Sequence, residues 1–128
     1  MCKLVAIKNN KGDLVSVADI KSDIIQKIMQ LAAECDKIDY VFVFGSSVEE
    51  RCTVKSDIDI AIVSNITRSR LFRTASYDRF ISRLYEINLN QDYDILQFDS
   101  LNDITDSNEN VCFDIKNKGV LLYERMAV

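Results

Sequence analysis

Residues 57–63 read Asp-Ile-Asp-Ile-Ala-Ile-Val, and this run leaves the chain little choice of local structure. Alternation with a period of two is the pattern of a β-strand with two different faces. Ile58, Ile60 and Ile62 then point one way, while Asp57, Asp59, Ala61 and Val63 point the other. The two carboxylates share a face, with Cβ atoms roughly 6–7 Å apart. Like charges at that spacing repel unless something positive sits between them. A magnesium ion suits them, because it favours carboxylate oxygens and keeps positions free for phosphate oxygens. An isolated Asp-x-Asp at a wet strand end would say little. Here the apolar run that follows buries the strand and puts the acids at its mouth.

A second apolar run, Tyr40 to Phe44, precedes it and ends on Gly45-Ser46. Short, aromatic and β-branched, it predicts a buried strand. Glycine lets a backbone approach a ligand closely and take dihedrals closed to other residues. The residues after it, Ser46 and Ser47, can offer N–H groups and hydroxyls to a phosphate. A bare Gly-Ser turn is usually only a turn, so its weight comes from the Asp pair that follows.

The remaining pattern predicts a hairpin from Leu4–Lys8 and Leu14–Val17 around NNKGD, within residues 3–17. A helix over about Asp19 to Asp36 follows, capped by Asp19, with Ile20, Ile24, Ile28, Leu31 and Cys35 along one stripe. Ser47 to Glu50 can begin a short helix. A helix over about Arg70 to Asn88 presents Leu71, Phe72, Ala75, Ile81, Leu84 and Tyr85. Tyr93 to Phe98 is the third strand of a central sheet, followed by a loop of Asp, Asn and Ser. A last helix over about Ser107 to Lys118 stops at Gly119, and the tail VLLY packs back on the core. The fold class is α/β (α+β): one small mixed sheet with helices mainly on one face, in a single domain spanning 1–128.

Several function classes fall away on composition. There is no histidine, so neither a Ser-His-Asp nor a Cys-His nucleophile system can be built. Cys2, Cys35, Cys52 and Cys112 are scattered with no C-x-x-C spacing, which argues against a zinc site or a disulfide framework. Cys35 and Cys112 sit at apolar helical positions and read as core thiols. A net charge of -4 argues against a broad nucleic-acid groove. The basic run Arg68, Arg70 and Arg73 reads as a solvated or partner-facing surface. No stretch approaches the roughly 20 apolar residues of a membrane span, and the N-terminus lacks a signal-peptide pattern, so the expected compartment is cytoplasmic.

The segment GSSVEERCTVKSDIDIAIV resembles the signature of the DNA-polymerase-beta-like nucleotidyltransferases. That signature is Gly-Ser, ten residues, then Asp-x-Asp running into an apolar strand; here residues 47 to 56 separate Ser46 from Asp57. Size and the ending KNKGVLLYE resemble the minimal nucleotidyltransferases (MNT). The resemblance spans roughly residues 20 to 125 and leaves the hairpin outside. It implies a third catalytic carboxylate on a later strand. Asp92 and Asp94 share strand parity, so periodicity leaves both open. The family pattern matches Asp94 better, with Asp92 in the turn beside Asn90 and Gln91.

The implied chemistry is magnesium-dependent transfer of AMP from ATP to a hydroxyl. Asp57, Asp59 and Asp94 are the implied catalytic and metal-binding residues. Gly45, Ser46, Ser47 and Lys55 are the implied nucleotide contacts. Glu49 and Glu50 depart from the family pattern, placing acids where a triphosphate would be repelled, with Arg51 and Lys55 near enough to compensate. The chain has no room for an acceptor domain. The resemblance therefore points to a partner protein, a helical HEPN-type toxin AMPylated on a tyrosine, with this chain as antitoxin. A small-molecule nucleotidyltransferase working with a separate acceptor-binding subunit or as an oligomer is one alternative. A non-catalytic partner-binding module is the other.

Overall fold

The computed structural model describes residues 2–126. Strands β1 (Leu4–Lys8) and β2 (Leu14–Ala18) form an antiparallel hairpin. A 3-10 turn, Asp19–Lys21, leads into helix α1 (Ser22–Ala33). Strand β3 (Ile38–Phe44) ends in a second 3-10 turn, Gly45–Val48, and β4 (Ile58–Ser64) follows a loop. Then come α2 (Arg68–Leu71), α3 (Ala75–Ile87), β5 (Tyr93–Phe98), α4 (Asn102–Thr105), α5 (Asn110–Lys118) and β6 (Val120–Glu124).

The central sheet has the order β5-β4-β3-β6. β4 pairs parallel with β5, while β3 pairs antiparallel with both β4 and β6, so the sheet is mixed. The period-two reading of β4 decides the two cores. Ile58, Ile60 and Ile62 are fully buried with Ile25 and Ile28 of α1 and Phe80 and Leu84 of α3. Full burial of such side chains is worth about 1.5–3 kcal/mol each. Ala61 and Val63 face the other way, against Ile104 of α4 and Cys112 and Ile115 of α5. The two longest helices thus share one face, and the short α4–α5 pair covers part of the other.

Several expected boundaries move, each for a local reason. The first helix is preceded by a 3-10 turn and ends at Ala33. Asp19 does not cap it: its carboxylate accepts N–H bonds from Lys3 and Ile20, tying the hairpin's base. Ile20, placed on the apolar stripe by periodicity, is exposed. The expected helix over 70–88 is two helices. Thr74 Oγ1 accepts the Tyr77 N–H at 3.4 Å and starts α3 afresh, which resets the helical phase. Tyr77 and Phe80 are therefore buried, whereas Phe72, Ala75 and Tyr85 are exposed. The Asp/Asn/Ser loop contains α4, and the last helix begins at Asn110. The VLLY tail is a fourth strand of the central sheet. Cys35 and Cys112 are buried free thiols; Cys2 and Cys52 are buried together around Ala18. Arg68, Arg70 and Arg73 are all exposed. Among the described residues, no helix is long and apolar enough to cross a membrane.

The hairpin is anchored at both ends. Near its tip, the Asn9 amide donates to Leu121 O at 3.1 Å, and Asn10 exchanges bonds with the Glu124 backbone at 2.6 and 2.9 Å. At its base, Cys2 N–H donates to Glu50 O at 3.1 Å.

Candidate active site

Three strands bring the site together. Phe44 is register partner to Asp59, and Asp59 is register partner to Asp94 on the parallel strand β5. Register partners project from the same face, so Asp59 and Asp94 stand side by side. Asp57 lies just before β4 and is exposed. Asp92 lies in the turn before β5, where its carbonyl accepts the Ile58 N–H at 3.1 Å. Strand register thus separates two aspartates that periodicity could not.

Electrostatics tie the three acids to one another. The Asp59 carboxyl is held above its ordinary range, first by burial and then by repulsion from Asp94 and Asp57, with Arg51 acting in the opposite direction. Burying a carboxylate beside two others is unfavourable, and the arrangement persists because neighbouring elements hold it in place.

Gly45 makes room for this cluster. Its φ of +70° lies in the left-handed region that favours glycine. A Cβ built on it would fall inside the Asp59 carboxylate. Any other residue would therefore displace the central acid. Ser46, half-buried, accepts the Glu49 N–H on its carbonyl at 3.0 Å. Ser47 is fully buried, and its Oγ has no hydrogen-bond partner. Lys55 is exposed on the loop.

A cleft of about 270 Å³ opens beside Gly45, bounded by Glu49, Arg51, Asp114 and Lys118. Glu49 is held by Arg51 at 2.7 Å, and this hydrogen bond keeps its carboxyl below the usual range. One of the two acids that depart from the family pattern is therefore charge-paired. Asp114 and Lys118 come from α5, fifty or more residues beyond β4, and no local pattern signals them. Another cleft, of about 320 Å³, is lined by Phe72, Tyr77, Ile81, Tyr85, Ile95 and Gln97. Ile95 and Gln97 alternate with Asp94 along β5, so this cleft lies on the opposite face.

A hard divalent cation fits the donor set. Asp57, Asp59 and Asp94 supply only carboxylate oxygens, and the missing side chain of Gly45 lets the Asp59 carboxylate lie against the Gly-Ser turn. Among the described residues, no three Cys, Asp or Glu side chains stand close enough together to hold a metal ion by themselves, so a cation here would draw further oxygens from elsewhere, such as a phosphate. The mouth of the sheet is thus an open carboxylate cluster with a cleft at its side.

Lys21 was not signalled by any motif. It is buried, with its ammonium donating to Val54 O at 3.0 Å and Gln91 Oε1 at 2.5 Å. Burial pulls its pKa below the ordinary lysine value, against the opposing pull of Cys52 and Asp57.

Comparison with known proteins gives the family. The model of the family described as "Polymerase beta, Nucleotidyltransferase" matches residues 26–127. A crystal structure of the toxin–antitoxin MntA-HpeT, in a mutant carrying two Asp-to-Glu changes, is similar at a TM-score of 0.56. It is 20% identical, over 79% of this chain and 73% of that one. A toxin–antitoxin crystal structure with AMP-PNP is similar at a TM-score of 0.50 and 18% identity, over 80% of this chain and 73% of that one. No curated protein matches. The family match spans β3, the Gly-Ser turn, β4 and β5, the elements that carry the acidic cluster, and the chain is a nucleotidyltransferase of the polymerase-beta family.

Proposed function

We propose that the protein transfers AMP from ATP to a hydroxyl of a partner protein, a tyrosine of a helical HEPN-type toxin, and acts as its antitoxin. The observation that carries this reading is the register pair Asp59–Asp94, with the Asp59 carboxylate lying against Gly45 of the Gly-Ser turn. Asp57, Asp59 and Asp94 would hold magnesium. When bound, it supplies charge neutralisation for the phosphates and for the entering and leaving oxygens of an in-line displacement. Asp94 stands on an edge strand, open to an incoming hydroxyl, and accepts its proton. Ser46 and Ser47 hold the phosphate tail, and Ser47 Oγ is a buried hydroxyl still short of a partner. Arg51 and Lys118 supply positive charge in the cleft, and Lys55, exposed on the loop before β4, is a further candidate for phosphate contact. Pyrophosphate leaves as the new phosphate ester forms.

Support for a nucleotide and a protein partner comes from the similar structures, one solved with AMP-PNP and both described as toxin–antitoxin. A transferase must hold both reactants in line, and a protein acceptor brings its own wall to a small open site. The Glu49–Arg51 pair weakens the case for a non-catalytic module, because one of the two acids that would repel a triphosphate is already paired.

The test is the intact mass of the co-expressed partner. Wild-type protein should add one AMP, roughly 329 Da. The Asp57→Asn/Asp59→Asn double variant should bind the partner and add nothing. Equal partner masses with neutralisation intact would select the binding-module reading. AMP transfer to a small alcohol without any partner would select the small-molecule one.

A further inference from the structure

The family match begins at residue 26, so the hairpin and the turn after it lie ahead of it. That extension nevertheless reaches the underside of the site. Lys21 is 2% exposed, which is rare for lysine. Its ammonium bonds Val54 O in the loop between the Gly-Ser turn and β4, and Gln91 Oε1 in the turn before β5. Gln91 is also buried, at 5% exposed. Its amide donates to Ser56 O at 3.0 Å and to Asp92 O at 2.7 Å. Two side chains therefore join the backbone one residue before Asp57 to the backbone two residues before Asp94. A further bond, Cys2 N–H to Glu50 O, pins the start of the same loop to the hairpin.

We infer that Lys21 of the N-terminal extension and Gln91 of the turn before β5 together form a clamp, as positioning residues that hold the Asp57 loop against the Asp94 strand and so set the spacing of the acidic cluster. This rests on the reading of Asp57, Asp59 and Asp94 as a cation site. The chemistry favours a positioning role over simple packing. A buried ammonium is costly to desolvate, and an apolar residue of similar volume commonly serves stability as well or better. Lysine offers three donors that can join two separate backbone segments at once. The acids need such help, because Asp57 lies outside β4 and its strand bonds do not hold it.

The experiment uses the full chain and Mn²⁺ as the probe, followed by electron paramagnetic resonance with AMP-PNP present. Lys21→Met keeps the length of the stem and removes the donors. Gln91→Asn keeps an amide but shortens its reach, and serves if Lys21→Met does not fold. Each variant, held well below its melting temperature, should bind Mn²⁺ about tenfold or more weakly, as expected for supports behind metal ligands. AMP-PNP binding in EDTA should stay within about twofold. Because both residues act through one network, the double variant should be little worse than either single variant. Lowered melting temperature with Mn²⁺ affinity within about twofold of wild type would overturn the clamp, provided Asp59→Asn abolishes Mn²⁺ binding. If Asp59→Asn binds Mn²⁺ as wild type does, the cation-site reading fails, and the clamp with it.

Discussion

The two faces of β4 do opposite work with alternate residues of one strand. On the α1–α3 side, Ile58, Ile60 and Ile62 are fully buried among apolar neighbours. On the other side, Asp59 is half-buried beside Asp94, within repulsive reach of Asp57, next to a glycine in a left-handed conformation. One face releases free energy on folding and the other stores unfavourable charge. A carboxylate cluster of this kind persists only because a rigid, dry layer lies directly beneath it. Changes on the two faces should therefore separate stability from activity.

The sharpest contrast is Asp59→Asn against Ile60→Ala. Asp59→Asn should lower nucleotide transfer on the order of a hundredfold or more, about 3 kcal/mol of barrier, through lost magnesium binding. Its melting temperature without metal should hold or rise, since repulsion from Asp94 and Asp57 is relieved. Ile60→Ala should cost about 2–5 kcal/mol of stability by opening a cavity. Its turnover per folded molecule, assayed below melting, should be unchanged. Denaturation curves and initial rates on both variants check the pair; an Asp59→Asn protein that melts well below wild type would break the contrast.

Gly45→Ala should sit between the two. The left-handed backbone costs a non-glycine residue about 1–2 kcal/mol, and the new Cβ would push on the Asp59 carboxylate. Stability and AMP-PNP affinity should fall together, measured by calorimetry and thermal melting.

A smaller effect of opposite sign is expected at Ser47. Its buried hydroxyl has no partner, so Ser47→Ala should leave stability unchanged or raise it by up to about 1 kcal/mol. AMP-PNP affinity should drop in the same variant. A loss of stability would show that the hydroxyl is satisfied within the protein and is not held for a ligand.

The smallest effect is a pH dependence on the dry face. Burial raises the Tyr77 phenol above its ordinary 10.0, with the Gln97 amide, which donates to its oxygen at 3.0 Å, opposing the shift. Its folded pKa exceeds its unfolded pKa, so this contribution to stability is intact below pH 10.0 and falls as pH rises through the folded value. Tyr77→Phe should remove that alkaline slope, leaving a constant offset from the lost Gln97 bond. Melting temperature against pH for both proteins is the measurement.

Much of the fold was legible along the chain. β1 and β5 fall on the predicted residues, and β2, β3 and β4 lie within two residues of theirs, because alternating or continuous β-branched runs report strand geometry directly. Helix ends were less legible. Thr74 is an ordinary capping residue, yet the apolar residues on both sides of it continue a plausible helical stripe. The VLLY tail carried its apolar character openly, but its pairing with β3 depends on a partner some eighty residues earlier.

The sequence by itself determined that Asp59 stands at the mouth of an apolar strand, that Gly45-Ser46 ends a buried strand with ten residues between it and Asp57, and that no histidine chemistry is available. Those properties follow from strand parity, spacing and residue type, which are local. Strand parity left Asp92 and Asp94 open and resemblance favoured Asp94; it is the parallel register between β4 and β5 that stands Asp94 beside Asp59. Tertiary structure alone decided that Lys21 and Gln91, seventy residues apart, meet beneath the acids, and that Lys118 borders the cleft. Side-chain bonds to distant backbone carbonyls leave no period in a sequence; they exist only once the packed core has brought the segments together.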